Sequence, residues 1–376
     1  MAWDRRDFLH ASMGASGAIA LGVDPRRRRQ ALPRMAQDRS PRSLRILVLG
    51  GTSFLGPHQV RYALERGHTV SIFTRGQTEP SLFPEAFQQV EHLIGDRNGE
   101  LEALRGRTWD AVIDNSGRRV EWARDTAQLL KDSVDRYLYV SSTGVYLPYR
   151  TQDIREDIPL VLADDPPEDP PSYGVMKSLS EREVQQAFPG RSLVIRPQYI
   201  VGPADQQDRF TYWPLRITRG GEVLVPGRKH DPVMLIDVRD LTEWMIRLLE
   251  GEVTGVFNAA GPSAHLSMEE FIYGVRAAFT ADLSWTWIED YAFLESQRLT
   301  YAIPWVMQAG DYFGVASINA ERAIAAGLTF RPLAVTAVDT MAWWLSGAVT
   351  AERRASARFP LTAEREAAIL SAWAAR

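Results

Sequence analysis

The chain has 376 residues, of which 45% are hydrophobic, no cysteine, and a formal net charge of −4. Residues 1–42 hold nine arginines and four aspartates, a net of +5, so the remaining residues carry −9. An acidic body argues against nucleic-acid binding, which needs a basic surface, and the lack of cysteine excludes a disulfide framework and a thiol nucleophile.

The first forty residues are typical of an export signal. Asp4-Arg5-Arg6-Asp7-Phe8-Leu-His resembles the twin-arginine (Tat) signal, and the apolar stretch 11–23 that follows is too short to span a membrane. We therefore predict that residues 1–42 are a signal peptide and linker, and that the protein is periplasmic or otherwise extracytoplasmic. If the signal is not used, the protein is cytoplasmic and the segment is a disordered basic tail.

A glycine-rich turn follows the first predicted strand, at 44–49. The turn spans residues 50–56, an amphipathic helix is predicted at 59–66, and a second strand at 68–74. Strand, glycine turn, helix and strand in this order are typical of a dinucleotide-binding unit, in which backbone amides and a helix N-terminus approach a pyrophosphate. Ser53 stands where the strict pattern has its middle glycine.

Arg75 comes directly after the second strand. An acidic residue there would accept hydrogen bonds from an adenosine ribose, whereas arginine pairs well with a 2′-phosphate. Arg75 therefore favours NADP over NAD, with NAD as the alternative, and its other interpretation is an ordinary surface charge.

Three more strands are predicted at 90–96, 109–114 and 136–141, and a sixth at 192–196. The fifth ends in Ser142-Thr143-Gly-Val-Tyr146, which taken alone is typical of a turn at a strand end.

Tyr173 precedes Lys177 by four residues on a predicted helix. Residues at this spacing share one helix face, and the chain has only three lysines, Lys131, Lys177 and Lys229. A neighbouring ammonium stabilises phenolate and lowers the pKa of a phenol, so the pair predicts a proton donor and acceptor. The alternative is an accidental pair on a solvated helix.

Taken together, these motifs resemble the extended short-chain dehydrogenase/reductase family, often labelled NAD-dependent epimerase/dehydratase, over about residues 44–346. The matching residues are Gly50, Gly51, Ser53, Gly56, Asp96, Ser142, Tyr173, Lys177, Arg196 and Pro197. The resemblance implies an α/β fold, a Rossmann-type doubly wound parallel sheet with a smaller C-terminal substrate-binding lobe.

The resemblance also implies roles for single residues. Lys177 binds the nicotinamide ribose and tunes Tyr173, which exchanges a proton with the substrate. Ser142 bonds the same substrate oxygen, or Thr143 does if the register shifts by one. Asp96 holds the adenine. The cofactor-binding set implied by the family is Gly50, Gly51, Thr52, Ser53, Phe54, Leu55, Gly56, Arg75, Asp96, Lys177 and Pro197.

We predict that residues 43–350 form the NAD(P)-binding domain, with a substrate lobe built mainly from 198–235 and 262–315. Residues 351–376 are predicted to be a C-terminal helical tail. Val233 stands where members acting on nucleotide sugars usually have a diphosphate-binding arginine, with Arg209 and Arg228 as substitutes out of register. Arg209-Phe210-Thr-Tyr212-Trp213 is either a pocket wall or simple packing.

The sequence thus predicts an NAD(P)-dependent oxidoreductase, epimerase or dehydratase acting on a hydroxyl or ketone of a small, sugar-like substrate. An exported enzyme of this type should hold its cofactor tightly and regenerate it within each cycle. The alternative is a non-catalytic nucleotide- or RNA-binding protein, because the chain also resembles plastid stem-loop RNA-binding proteins. We expect no metal, no nucleic-acid partner, contact with the Tat export machinery, and, by analogy alone, a homodimer.

Overall fold

The structure, a computed structural model, describes residues 40, 42–80, 82–115, 118–161 and 171–376. The predicted signal peptide and most of an acidic, proline-rich stretch at 164–171 lie outside the described residues.

The largest sheet contains seven strands, rich in β-branched and aliphatic residues. Their bounds are β1 Arg45–Leu49, β2 Thr69–Thr74, β3 Glu91–Ile94, β4 Trp109–Asp114, β5 Val134–Val140, β6 Ser192–Pro197 and, after three strands outside this sheet, β10 Gly255–Ala259. Their spatial order is β10-β6-β5-β4-β1-β2-β3, and every neighbouring pair is parallel. This is the doubly wound order, so the predicted fold class is confirmed.

The remaining elements cover the sheet and build the lobe. The other strands are β7 Ile200–Val201, β8 Gly221–Pro226, β9 Ile236–Asp237, β11 Leu283–Ile288, β12 Tyr301–Ala302 and β13 Trp305–Val306. The helices are α1 Leu55–Glu65, α2 Pro84–Phe87, α3 Val120–Leu130, α4 Tyr173–Ala187, α5 Tyr212–Arg219, α6 Val238–Glu250, α7 Met268–Arg276, α8 Tyr291–Ser296, α9 Glu321–Ala325, α10 Leu333–Leu345, α11 Ala351–Ala355 and α12 Ala363–Ala374. Within the described residues, no helix is both long enough and apolar enough to cross a membrane.

Two helical layers bury the two faces of the sheet. On one face α1 and α6 pack through residues such as Val60 and Trp244, and on the other α3 and α4 pack through Ala127 and Val184. Burial on both faces explains why the strands are near-continuous hydrophobic runs. The carboxyl ends of the strands are left as the rim on which loops can form a site.

A separate hydrophobic core forms the lobe. Strands β8 and β11 pair in parallel and pack with α5 and α7 around the buried aromatic rings of Phe210, Trp213 and Phe271. Residues 351–376 fold as α11 and α12, and Ile369 of α12 is part of this core. The tail is therefore packed against the lobe.

Candidate active site

The predicted motifs other than the Tyr173–Lys177 pair, which lies on α4, each lie at the carboxyl end of a strand of the large sheet. The glycine turn follows β1, Arg75 follows β2, Asp96 follows β3, Ser142 follows β5, and Pro197 ends β6. Because parallel strands end at one edge, these segments meet on the same rim, where ligands of doubly wound sheets bind.

The glycine turn brings backbone into close contact. Gly50 has φ 79°, and a Cβ added to Gly56 would lie 2.2 Å from the carbonyl oxygen of Gly51. Ser53 is exposed and does not have positive φ, so this position accepts a hydroxyl. The helix begins at Leu55, four residues before the predicted start at residue 59. Its first turn therefore includes Leu55 and Gly56, the last two residues of the glycine turn.

The start of α1 fits an anionic group. Its first turn contains no acidic residue, and the residue before it, Phe54, makes no capping hydrogen bond with its side chain. The amides of a helix start lack partners within the helix and carry the positive end of its dipole. With the close backbone approach of Gly51 and Gly56, the turn fits the pyrophosphate of a dinucleotide.

Ser142, and not Thr143, faces the tyrosine. Ser142 caps a short 3₁₀ turn, Thr143–Tyr146, accepting a hydrogen bond from the Gly144 amide at 3.0 Å. Its hydroxyl and the Tyr173 ring lie 3.3 and 3.4 Å from the position that a Cβ on Gly144 would occupy, and hydrogen bonding to Ser142 lowers the pKa of the Tyr173 phenol. Thr143 is buried, and its hydroxyl donates to the Gln198 side chain and to the Pro197 carbonyl. The two hydroxyls therefore point to different partners.

Tyr173 is the first residue of α4 and packs against the backbone of Gly144, where an added Cβ would lie 3.4 Å from the tyrosine ring. Burial around the phenol raises the pKa of Tyr173, while the Ser142 hydrogen bond and the charges of Arg209 and Arg118 lower it. The sequence-based expectation of a lowered pKa was wrong, because the burial effect is larger and the lowering effects come from Ser142, Arg209 and Arg118 and not from Lys177.

Lys177 is fixed beneath the tyrosine. It is 4% exposed, and its Nζ donates to the Val140 carbonyl at 2.8 Å and lies 5.8 Å from the centre of the Tyr173 ring. Burial lowers the pKa of Lys177 to about 8, against the opposing charges of Asp114 and Glu181. An ammonium has three donors, so the bond to Val140 leaves donor capacity for a ligand hydroxyl.

Two buried ion pairs hold this part of the rim. Arg97 contacts both oxygens of Asp114 at 2.9 and 2.8 Å. Arg196 contacts both oxygens of Glu181 at 3.0 and 2.7 Å, which ties β6 to α4. Arg196 of the predicted Arg-Pro motif therefore holds α4 in position against β6. Breaking a buried ion pair of this kind typically costs about 3–5 kcal/mol of stability.

The residues predicted to select the cofactor lie at the β2–β3 side of the rim. Arg75 is exposed directly after β2. Asp96 is half-buried, and its Oδ1 accepts a hydrogen bond from the Asn98 amide at 2.8 Å.

The sequence did not indicate a group of tyrosines that lie near Arg209 in the structure. Tyr149 and Tyr312 contact each other with ring centres 6.3 Å apart, and the guanidinium of Arg209 lies 5.7 Å from the centre of the Tyr199 ring. The sequence signal that could have indicated Tyr199 as a site residue was its position, two residues after the end of β6. Of the suggested pocket wall at 209–213, the aromatic rings are buried in the lobe core, whereas Arg209 is half-buried and contacts the Tyr199 ring.

Comparison with known proteins gives a consistent result. The model of the NAD dependent epimerase/dehydratase family matches residues 46–260, more than half of the chain. Chloroplast stem-loop binding protein of 41 kDa b from Arabidopsis thaliana is 29% identical over 58% of this chain and 58% of its own length. A 2-alkyl-3-oxoalkanoate reductase from Stenotrophomonas maltophilia is 28% identical over 44% of this chain and 53% of its own length. The matches therefore span little more than half of these relatives.

Among solved structures, UDP-glucose 4-epimerase from Bifidobacterium longum in complex with NAD⁺ and UDP superposes with a TM-score of 0.57. It is 18% identical, and the match covers 80% of this chain and 98% of that one. At this identity the likeness concerns the fold.

Proposed function

The chain belongs to the NAD dependent epimerase/dehydratase family, and from this premise we propose that it is a nicotinamide-dependent oxidoreductase, epimerase or dehydratase. Its substrate is a small, sugar-like molecule with a hydroxyl or ketone at the reacting carbon. The observation that carries the proposal is the meeting of Ser142, Tyr173 and Lys177 on the rim that also holds the glycine turn.

The names of similar proteins support this reaction class. The S. maltophilia relative is named for a 3-oxoalkanoate, and the B. longum structure and a 27% identical Azospirillum brasilense relative are UDP-glucose 4-epimerases. Reduction of a ketone and epimerisation at a hydroxyl share one step, the interconversion of hydroxyl and carbonyl.

The proposed cofactor site uses the glycine turn at 50–56 for the pyrophosphate and Lys177 for a ribose hydroxyl. Asp96 and Pro197 complete it at the adenine and nicotinamide ends. When bound, the nicotinamide ring exchanges a hydride with the substrate carbon. We propose NADP as the cofactor, because Arg75 supplies a guanidinium where a 2′-phosphate would lie, although the similar structure named above holds NAD⁺.

The chain's own residues move the proton. Tyr173 takes a proton from the substrate hydroxyl as it becomes a carbonyl, and returns it in the reverse direction. The Ser142 hydroxyl donates a hydrogen bond to the same oxygen when negative charge develops there. Lys177, anchored to Val140, places its positive charge below the phenol and favours the phenolate.

We further propose that the protein is exported by the twin-arginine route and recycles a tightly held cofactor within each cycle. Replacing Arg5 and Arg6 with lysine should then retain the protein in the cytoplasm, which cell fractionation measures.

The experiment that tests the enzymatic proposal is to purify the full-length protein, denature it and identify released dinucleotide by mass spectrometry. Stoichiometric NADP(H) or NAD(H) is the expected result. A protein that releases no dinucleotide and binds none on titration would contradict the proposal.

The second candidate function is RNA binding, favoured by the likeness to the chloroplast stem-loop binding protein. Two features count against it, the retained Tyr173–Lys177 pair and the net charge of −9 outside residues 1–42. A salt-dependent gel shift with stem-loop RNA separates the two functions.

A further inference from the structure

The small sheet of the lobe is covered on one of its two edges. It consists of β8 and β11, which pair in parallel. On the outer side of β8, the Leu224 amide donates to the Glu366 carboxylate at 3.0 Å, and the Glu222 carbonyl accepts from the Arg216 guanidinium. Side chains of the lobe and the tail therefore satisfy the backbone on this edge.

The opposite edge, formed by β11, is open. The Gly227 amide, just after β8, donates to the Ile288 carbonyl, so alternate residues of β11, counted back from Ile288, turn their backbone toward β8. The backbone of Leu283, Trp285 and Trp287 faces the other way. Within the described part of the chain, none of these amides and carbonyls has a hydrogen-bond partner. Because buried backbone groups are nearly always paired, this edge faces solvent.

Strand β11 lacks the features that normally prevent an edge strand from pairing. Natural edge strands are usually very short, or contain lysine, proline or another charged residue. The sequence of β11 is Leu-Ser-Trp-Thr-Trp-Ile, without charge or proline, and only its last residue is buried. By contrast β3, an edge strand of the large sheet, has four residues and contains Glu91. An open row of backbone groups in a strand of high β-propensity is a template for another strand.

The sequence of β11 is complementary to itself. When two copies pair in antiparallel fashion about a twofold axis at Trp285, Leu283 lies opposite Trp287 of the second copy, and Ser284 lies opposite Thr286. The three outward-facing positions then meet one another, which is the arrangement of hydrogen-bonded pairs in an antiparallel ladder. Aromatic pairs and serine–threonine pairs across strands stabilise a sheet.

The neighbouring registers fit less well. An axis at Thr286 places Asp282 opposite Asp290 of the second copy, and like charges directly opposite each other destabilise a sheet. An axis at Ser284 pairs only three residues of the strand with one another. The axis at Trp285 therefore combines the longest pairing with no opposed charges.

We propose that a second copy of this chain pairs with β11 along this edge, antiparallel about Trp285. The two small sheets then form one sheet of four strands across a symmetric contact, in which both copies use the same surface. This interface belongs to the lobe and does not depend on the reaction proposed above.

The test uses the full-length protein, whose sequence has no cysteine. Ser284→Cys and Thr286→Cys are prepared separately, mixed in dilute solution, concentrated and oxidised. In the proposed register these two positions form a non-hydrogen-bonded pair with Cα atoms about 4.5 Å apart, within disulfide range. Two copies of one variant place their thiols on a diagonal of about 7–8 Å, beyond the usual range. Ser263→Cys, at an exposed serine, replaces Thr286→Cys in the control mixture.

We expect the disulfide-linked dimer to form at least about tenfold faster in the mixture of Ser284→Cys and Thr286→Cys than in either variant alone or in the control mixture. Non-reducing electrophoresis measures the rate, and mass spectrometry identifies the linked peptides. Ser284→Lys places a charge on the open edge and should weaken self-association by about threefold or more in sedimentation equilibrium. Ser263→Lys adds the same charge elsewhere and should match wild type.

A linking rate no higher than that of the control mixture would overturn the proposal, and the edge would then face solvent or another extended chain. Rapid linking of Ser284→Cys with itself would contradict the axis at Trp285. A dimer that is unchanged in Ser284→Lys and that the cysteine pair does not link uses another surface, which also overturns the proposal. The cysteine pair decides the matter if Ser284→Lys fails to fold.

Discussion

Tyr173 is the residue on which the proposed chemistry depends. The side chain is 59% exposed, although the neighbouring groups partly desolvate the phenol and raise its pKa, so loss of the hydroxyl removes little packing. We predict that Tyr173→Phe lowers turnover by about 10²–10⁴-fold, the usual contribution of a positioned proton donor. Dinucleotide affinity should stay within about twofold, because Lys177 and the glycine turn are unchanged. Steady-state kinetics and fluorescence titration with NAD(P)H measure the two effects.

Tyr301→Phe is the control for this change, since Tyr301 is a similarly exposed tyrosine in β12. It should retain wild-type turnover. If Tyr173→Phe instead loses dinucleotide binding and keeps turnover with excess cofactor, the assigned role of the phenol is wrong.

Arg75 carries the predicted cofactor preference. It is exposed after β2, so Arg75→Gln should leave the fold intact. We predict that this change weakens NADP⁺ binding about tenfold or more, because the 2′-phosphate loses its guanidinium partner, while NAD⁺ binding changes less than about twofold. The measurement is the ratio of the two dissociation constants by calorimetry.

Arg105→Gln is the matched control, as Arg105 is an exposed arginine after the 3₁₀ turn that ends at Leu104. If Arg75→Gln weakens NADP⁺ and NAD⁺ binding by the same factor, Arg75 does not contact the 2′-phosphate.

The pairing of Tyr173 with Lys177 was predictable, because residues four apart on a helix share a face whatever the tertiary structure. The direction of the Tyr173 pKa was not, because it depends on burial and on Arg118 and Arg209, which reach the phenol only through the fold. The choice between Ser142 and Thr143 also needed the structure, since the Gln198 side chain that binds Thr143 belongs to another strand end.

The glycine turn and α1 act as one element, because Gly56 of the helix touches the backbone of Gly51. We predict that Gly56→Ala weakens dinucleotide binding about tenfold or more, since the added Cβ, 2.2 Å from the Gly51 carbonyl oxygen, forces the turn to move. Overpacking of this kind should also lower the free energy of unfolding by about 1–3 kcal/mol. Dinucleotide titration and urea unfolding measure these effects.

Gly347→Ala serves as the comparison, because a Cβ at Gly347 meets nothing within 4 Å. It should bind dinucleotide like wild type. Wild-type binding by Gly56→Ala would mean that the turn does not hold the pyrophosphate.

Elements of the large sheet were predictable because each is a short hydrophobic run bounded by turn residues. The predicted fourth strand, 109–114, coincides with β4. The lobe was not predictable in the same way, since β8 pairs with β11 across more than fifty residues of chain. The pairing of β8 with β11 depends on a shared hydrophobic core. The residues of that core come together only in the folded chain.

At the level of the whole molecule, the tail closes the lobe through a buried ion pair. Glu366 of α12 accepts a bond from the Arg216 guanidinium at 2.5 Å and from the Leu224 amide at 3.0 Å. These contacts join the end of the chain to α5 and β8, and Arg209 lies three residues before α5. The tail therefore supports α5 and the segment that leads into it.

Glu366→Ala should lower the free energy of unfolding by about 3 kcal/mol or more, because it leaves the Arg216 charge buried and the Leu224 amide without its acceptor. Glu364→Ala, which removes an exposed carboxylate from the same helix, should cost less than about 1 kcal/mol. Urea unfolding followed by circular dichroism gives both values. If the two variants unfold at the same urea concentration, the tail does not contribute to the lobe's stability through this pair.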